Sequence, residues 1–291
     1  MVSWLTSQLK MQPADVYAYD GLGQLVQVWY GADATDPGAI TSQERLQVYD
    51  LDGVGNRLEV QNDGAGEAYL PNDGAQLTNP MHRYEQVGPD PFAYDAKGNL
   101  LSDGRNTYTY DHENRQTGMT GPGGAAEYIY DARGWRVAKI VDGIAAYYVY
   151  DTGYQVIEER DGSDLLSARY VHGAGIDMPL KMARGGTTYH YHQDALGSVT
   201  ELTDPSGFLA ERYTYDVYGE PAIFDGGGAP LAASAVGNPY LFTARRYDVE
   251  SGNYYYRARA YASKVGRFMQ MDPLDVVIPQ SVGAVRLGYE Q

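Results

Sequence analysis

Three groups of residues in this sequence have the types and spacing that chemistry requires. Arg257 and Arg259 lie between Tyr254-Tyr255-Tyr256 and Tyr261. Guanidiniums among rings suit a ligand carboxylate or a sugar, and they equally suit stacking on the tyrosines and pairing with acidic residues. His190 and His192 fall on one face of a strand with Asp194 next along it, which is one arrangement of metal ligands and also an ordinary strand face. Asp272 precedes Pro273, as a catalytic acid or as a turn former. The chain has no phosphate-binding glycine loop, no serine–histidine–aspartate constellation and no zinc spacing.

The elements that must position these groups are strands and tight turns. A Tyr-Asp pair recurs at Tyr19-Asp20, Tyr49-Asp50, Tyr94-Asp95, Tyr110-Asp111, Tyr130-Asp131, Tyr150-Asp151, Tyr215-Asp216 and Tyr247-Asp248. Its skeleton is Tyr-Asp-x-x-Gly with an apolar residue two or three positions after the glycine, as in Tyr94, Asp95, Gly98 and in Tyr130, Asp131, Gly134. The tyrosine ends a strand, the aspartate accepts hydrogen bonds from the turn, and glycine supplies a positive φ. Asn114 takes the glycine position after Tyr110-Asp111, asparagine being the next-best residue for a left-handed backbone. The copy at Tyr49-Asp50 reads as carrying an insertion. In these copies the aspartates are turn residues rather than active-site carboxylates. Asp-Gly pairs, among them those at 63, 73 and 142, add hairpin signals.

A lone hairpin is marginal in water, so the copies must pair side by side. The expected fold is all-β, a meander of antiparallel hairpins in a long curved sheet. Eight or nine hairpins make about 18 strands and a sheet edge of roughly 85 Å, too short to enclose a folded cargo of about 150 residues unaided. Segments 31–44 and 61–92 read as loops or insertions, with Pro89 and Pro91 opposing a central strand, and 225–237 as a flexible loop. Trp4 to Met11 is the one helical candidate.

Composition narrows the function classes. The 291 residues include 28 tyrosines but 5 phenylalanines, 35 glycines, 14 prolines and no cysteine. Rings with a wet or hydrogen-bonded hydroxyl therefore build the packing surface, and disulfides and thiol chemistry are excluded. A net charge of −16 disfavours nucleic acid and anionic membrane surfaces as partners. No apolar run approaches membrane-spanning length, and Met1 to Val16 lacks the layout of a signal peptide.

The Tyr-Asp repeats resemble those of RHS (YD-repeat) proteins. The block Tyr189-His190-Tyr191-His192-Gln193-Asp194-Ala195-Leu196-Gly197-Ser198-Val199 and the stretch from Phe242 to Pro273, with Tyr-Tyr-Tyr-Arg-Ala-Arg at 254–259 and Gly266-Arg267-Phe268, are similar to that family's associated core. The resemblance covers roughly 15–273. It implies an N-terminal segment 1–14, repeats over 15–188, the core over 189–273 and a variable tail over 274–291. The repeat turns are then carried by Tyr94, Asp95, Gly98, Tyr130, Asp131, Gly134, Tyr150 and Asp151. The core motif is carried by His192, Asp194, Leu196, Gly197, Arg257, Gly266, Arg267 and Phe268.

For function the resemblance implies a β-shell, without cofactor or metal, that encloses or presents a C-terminal toxin or effector. Its partners would be that effector and further shell segments, and its location secreted or cell-surface. In animal members a similar shell serves adhesion, which makes a glycan- or protein-binding surface an alternative. Arg259 and Asp272 sit where the family places the arginine and first aspartate of a self-cleavage site. Here Asp275 stands where a glycine is expected, and Val276 to Gln291 contains no second Asp-Pro-x-Gly-Leu, so the expectation is a structural rather than an enzymatic role.

Overall fold

A computed structural model describes residues 14–34, 40–53, 55–71 and 83–273. The helical candidate Trp4 to Met11, the Asp73-Gly74 pair and the tail with Asp275 lie outside the described residues. The chain divides into two compact units, Met1–Ala93 and Tyr94–Gln291.

The described part of the first unit is an eight-stranded antiparallel sheet running from Ala14–Tyr19 to Asp90–Pro91. Segments 31–44 and 61–92 are therefore not simply loops: Ile40–Ser42, Ala65–Pro71 and Tyr84–Val87 are strands within them, and Leu25–Ala34 runs into the first. Pro91 sits in the terminal strand, where a missing N–H does no harm. The presumed insertion after Tyr49 is a regular turn displaced by two residues. The strand continues through Leu51, and Asp52 makes the turn, its Oδ1 accepting the N–H of Asn56 at 2.8 Å.

The second unit holds a fifteen-stranded sheet, from Ala93–Tyr94 to Pro230–Leu231, in which every strand neighbours the next in sequence. A separate four-stranded sheet follows: Arg246–Asp248, Asn253–Tyr256, Arg259–Ala262 and Arg267–Phe268. The fold is all-β, as the repeats imply; among the described residues the one helical turn is 3-10, Phe242–Ala244. Strand alternation puts a tyrosine inward at the same place in successive hairpins: Tyr108, Tyr128, Tyr148, Tyr170, Tyr191 and Tyr213 are all buried.

One turn chemistry joins the strands. Asp131 Oδ1 accepts the N–H groups of Arg133 and Trp135, both at 2.9 Å, and Gly134 has φ +81°. The same carboxylate pattern recurs at Asp20, Asp95, Asp111, Asp151, Asp194 and Asp216. It also recurs at Asp161, Asp204 and Asp225, which no tyrosine precedes. These turns without the Tyr-Asp pair, two of them at the Asp-Gly pairs 161 and 225, are one reason the two repeat sheets, with eight and fifteen strands, exceed the expected 18.

The tyrosine before the aspartate has a task beyond ending a strand. The register slips at Tyr110, Tyr130 and Tyr150, as at a β-bulge. The hydroxyls of these rings donate to the carbonyls of Leu100, Gln116 and Arg136, each at 2.8 Å. Each copy is thereby tied to the hairpin before it.

The segment 225–237 is tethered rather than loose. Buried Glu211 accepts the N–H of Ala235 at 2.6 Å and of Val236 at 3.0 Å, and the Ser234 hydroxyl at 2.7 Å.

Candidate functional site

Tyrosine, arginine and buried carboxylate converge where the four-stranded sheet meets the fifteen-stranded one. Tyr254 and Tyr255 are buried in the strand Asn253–Tyr256. The Tyr254 hydroxyl donates to the Gly219 carbonyl at 2.7 Å and that of Tyr261 to the Tyr218 carbonyl at 3.0 Å. Tyr255 lies under the Arg136 guanidinium, 4.1 Å from ring centre to carbon, and its hydroxyl accepts the Arg136 N–H at 3.1 Å.

Two buried charge clusters cross the same junction. Arg136, 2% exposed overall, donates to Asp248 through Nη1 at 2.6 Å and Nη2 at 3.1 Å. Lys139 Nζ reaches Asp248 at 3.0 Å and Glu250 at 3.1 Å, and the Tyr128 hydroxyl donates to Glu250 at 3.1 Å. In the second cluster Glu159 accepts from Arg246 at 2.6 Å and Tyr170 at 2.9 Å, and pairs with Arg184. Burial by itself would raise the Glu159 carboxyl, but Arg246 and Arg184 outweigh it and lower the pKa to about 2. Arg136 and Lys139 hold Asp248 below the usual carboxylate range, also against burial.

Asp248 corrects the reading that the aspartates of Tyr-Asp pairs are turn carboxylates. Its side chain is spent on Arg136 and Lys139, and only its backbone carbonyl serves the turn, accepting from Ser251 and Gly252. The sequence carried a hint: position 251, three after this aspartate, is serine, not glycine. Glu159 had a weaker one, since in Glu158-Glu159-Arg160 strand alternation must turn one acid inward.

The structure brings Arg259 and Asp272 together, Nη2 to Oδ2 at 3.0 Å, with the guanidinium 3.7 Å over the Phe268 ring. Arg257 faces elsewhere: it pairs with Asp177 at 2.8 Å and lies 5.0 Å over Tyr154. Both arginines thus stack on rings and pair with acids. Gly266 has φ +66° and leads into Arg267–Phe268, and the Phe268 ring packs on Tyr256 and Tyr261.

The histidine block does not assemble into a metal site. Asp194 Oδ1 is occupied by the N–H of Leu196 at 2.9 Å and of Ser198 at 2.8 Å, and Gly197 completes that turn at φ +82°. His192 meets the Thr203 hydroxyl at 3.0 Å, and Leu196 is an exposed turn tip. Among the described residues no group of three or more histidine or acidic side chains is placed to hold a metal ion. Tyr94, Asp95, Gly98 and Tyr150, Asp151 occupy the repeat turns expected of them, except that Tyr154 rather than glycine takes the positive φ after Asp151, at +66°.

Comparison with known proteins sets this geometry in context. The family model described as RHS Repeat matches residues 94–126. The tRNA nuclease WapA of Bacillus subtilis is 31% identical over 229 residues, which cover 77% of this chain and 9% of that protein. Toxin protein Tse5 of Pseudomonas aeruginosa is 28% identical over 335 residues, covering 89% of this chain and 25% of the relative. The chain therefore spans between about a tenth and a quarter of these relatives' lengths. Among solved structures, the Photorhabdus luminescens Tc holotoxin pore matches with a TM-score of 0.62 at 16% identity, over 91% of this chain and 14% of that one.

Proposed function

The chain is an RHS-repeat protein, and we propose that it is a non-enzymatic segment of a larger shell wall that encloses or presents a C-terminal toxin or effector, in bacterial secretion or competition. Its partners are that effector and the remaining shell segments, and its place of work is outside the cell or on its surface. The supporting context is that curated relatives carry toxin and nuclease names while this chain spans a small part of each, with a fold shared with a toxin pore structure.

One observation carries the structural reading: the best-buried charges of the site, Arg136, Asp248 and Glu159, are consumed in ion pairs that clamp the four-stranded sheet onto the fifteen-stranded one. A general acid or base needs a partner-free proton position and a pKa near its working pH; carboxyls held this low, with their oxygens already accepting, serve packing instead.

A second reading rests on one specific contact, the Arg259–Asp272 pair at 3.0 Å beside Pro273, which supports self-cleavage by an aspartyl-type route. Intact mass of the purified chain separates the two. The wall reading predicts 32.0 kDa after prolonged incubation, with Asp272→Asn behaving identically. Fragments near the C-terminus that disappear in Asp272→Asn would replace it with the self-cleaving reading.

A further inference from the structure

A small cavity in the second unit, about 40 Å³ in volume, is lined by Arg246 and Tyr255 of the junction and by residues outside it, among them His172, Asp177, Arg245 and Arg257. Four of them hold a left-handed backbone without being glycine: Tyr154 at φ +66°, Asp177 at +54°, Ala244 at +52° and Arg257 at +63°. Such backbone is strained, and strain of this kind collects where a fold must present a surface to a ligand. At the position Tyr154 occupies, Gly98 and Gly134 serve in other copies without strain.

The polar groups around the cavity are unevenly matched. Arg246, 8% exposed, donates through Nη2 to Glu159, while its Nε and Nη1 are buried without a hydrogen-bond partner. Arg245 and Arg257 share the one carboxylate of Asp177, each at 2.8 Å, as Arg184 and Arg246 share Glu159. Of these groups, three guanidiniums (Arg245, Arg246 and Arg257) and one carboxylate (Asp177) line the cavity. Burial lowers Arg245, and Arg257 beside it adds to that against the pull of Asp177. A second cavity, about 10 Å³ beside Arg136 and Asp248, has its central charges paired.

His172 contributes the complementary group. Its Nε2 lies 2.8 Å from the Val156 carbonyl, a contact that requires the proton on Nε2. Nδ1 is then a lone pair, and it is buried with no partner. Burial lowers the His172 pKa, which keeps that ring neutral. The cavity lining therefore combines cationic donors with an unpartnered acceptor, His172 Nδ1.

We propose that this cavity binds a tetrahedral oxyanion that carries one hydroxyl, of the hydrogen-phosphate class. Arg246 and Arg257 donate to its oxygens, and its hydroxyl donates to His172 Nδ1. The anion offsets the excess positive charge, and the strained backbone at Tyr154, Ala244 and Arg257 fixes the walls around it.

Calorimetric titration of the full chain near pH 7 tests this with inorganic phosphate, and with sulfate, which has no hydroxyl at that pH, each at the same ionic strength in chloride. Saturable phosphate binding is expected, with sulfate about tenfold weaker or worse. Arg257 is partly exposed at the rim, so Arg257→Gln is expected to keep the circular dichroism and thermal midpoint of the parent while weakening phosphate about tenfold. His172→Phe keeps a ring against Tyr240 and is expected to erase the preference for phosphate over sulfate. Absence of saturable binding up to about 10 mM phosphate, equal binding of sulfate, or a folded Arg257→Gln that binds like the parent overturns the proposal.

Discussion

Asp248 lies between Arg136 and Lys139 at 5% exposure, so changing it leaves two cations buried without their counter-charge. Breaking a buried pair from one side costs about 3–5 kcal/mol, and Asp248→Asn is predicted to lose that much in urea unfolding. Glu159 makes stability pH-dependent. Its folded pKa of about 2 lies below its ordinary 4.5, so its contribution is fully present above pH 4.5 and is lost as pH falls toward 2. At 1.36 kcal/mol per unit this is roughly 3 kcal/mol, and Glu159→Gln is predicted to flatten that part of the stability–pH curve. These residues were the least legible in the sequence. A buried acid looks like any other acid until its partner, in the case of Asp248 and Arg136 over a hundred positions away in the chain, is known. Arg259 and Asp272 were legible as a pair only because a family motif placed them together.

At the scale of the element, the Tyr-Asp turn was readable because its chemistry is local: the aspartate, the two amides it accepts and the positive-φ residue lie within five positions. The same locality explains what was missed. Asp161 and Asp225 make the turn without a preceding tyrosine and are marked only by the glycine after them, and Asp204, before Pro205, has neither mark, so counting the Tyr-Asp pair undercounts strands. The tie from each tyrosine hydroxyl to the preceding hairpin was hidden too, because it depends on the register slip rather than on any residue type. Turn glycines with the same backbone are also not equivalent. Gly219 and Gly207 have φ +89° and +83°, but a Cβ on Gly219 would lie 2.3 Å from the Phe242 ring while one on Gly207 meets nothing within 4 Å. Gly207→Ala is predicted to cost about 1 kcal/mol through its backbone alone. Gly219→Ala should add about 1–3 kcal/mol of overpacking and loosen the four-stranded sheet, both read from denaturant midpoints at unchanged slope.

For the whole molecule, composition and repeats predicted an all-β meander, and the fifteen-stranded sheet with its consecutive strand order bears that out. What no repeat count could show is how the final sheet is held, because that junction joins Tyr128, Arg136 and Glu159 to residues near position 250. Across residues 94–273, buried charge and tyrosine lock the four-stranded sheet onto the fifteen-stranded one. Hydrogen exchange of the intact chain tests that lock most directly. The prediction is that the amides of Tyr254 and Tyr255 exchange with the same opening free energy as those of Tyr128 and Tyr148, and that Asp248→Asn releases the first pair ahead of the second. If the four-stranded sheet of the unmodified chain exchanges about a hundredfold faster than the repeat strands, it is a loosely seated plug, and the account of a single locked wall is wrong.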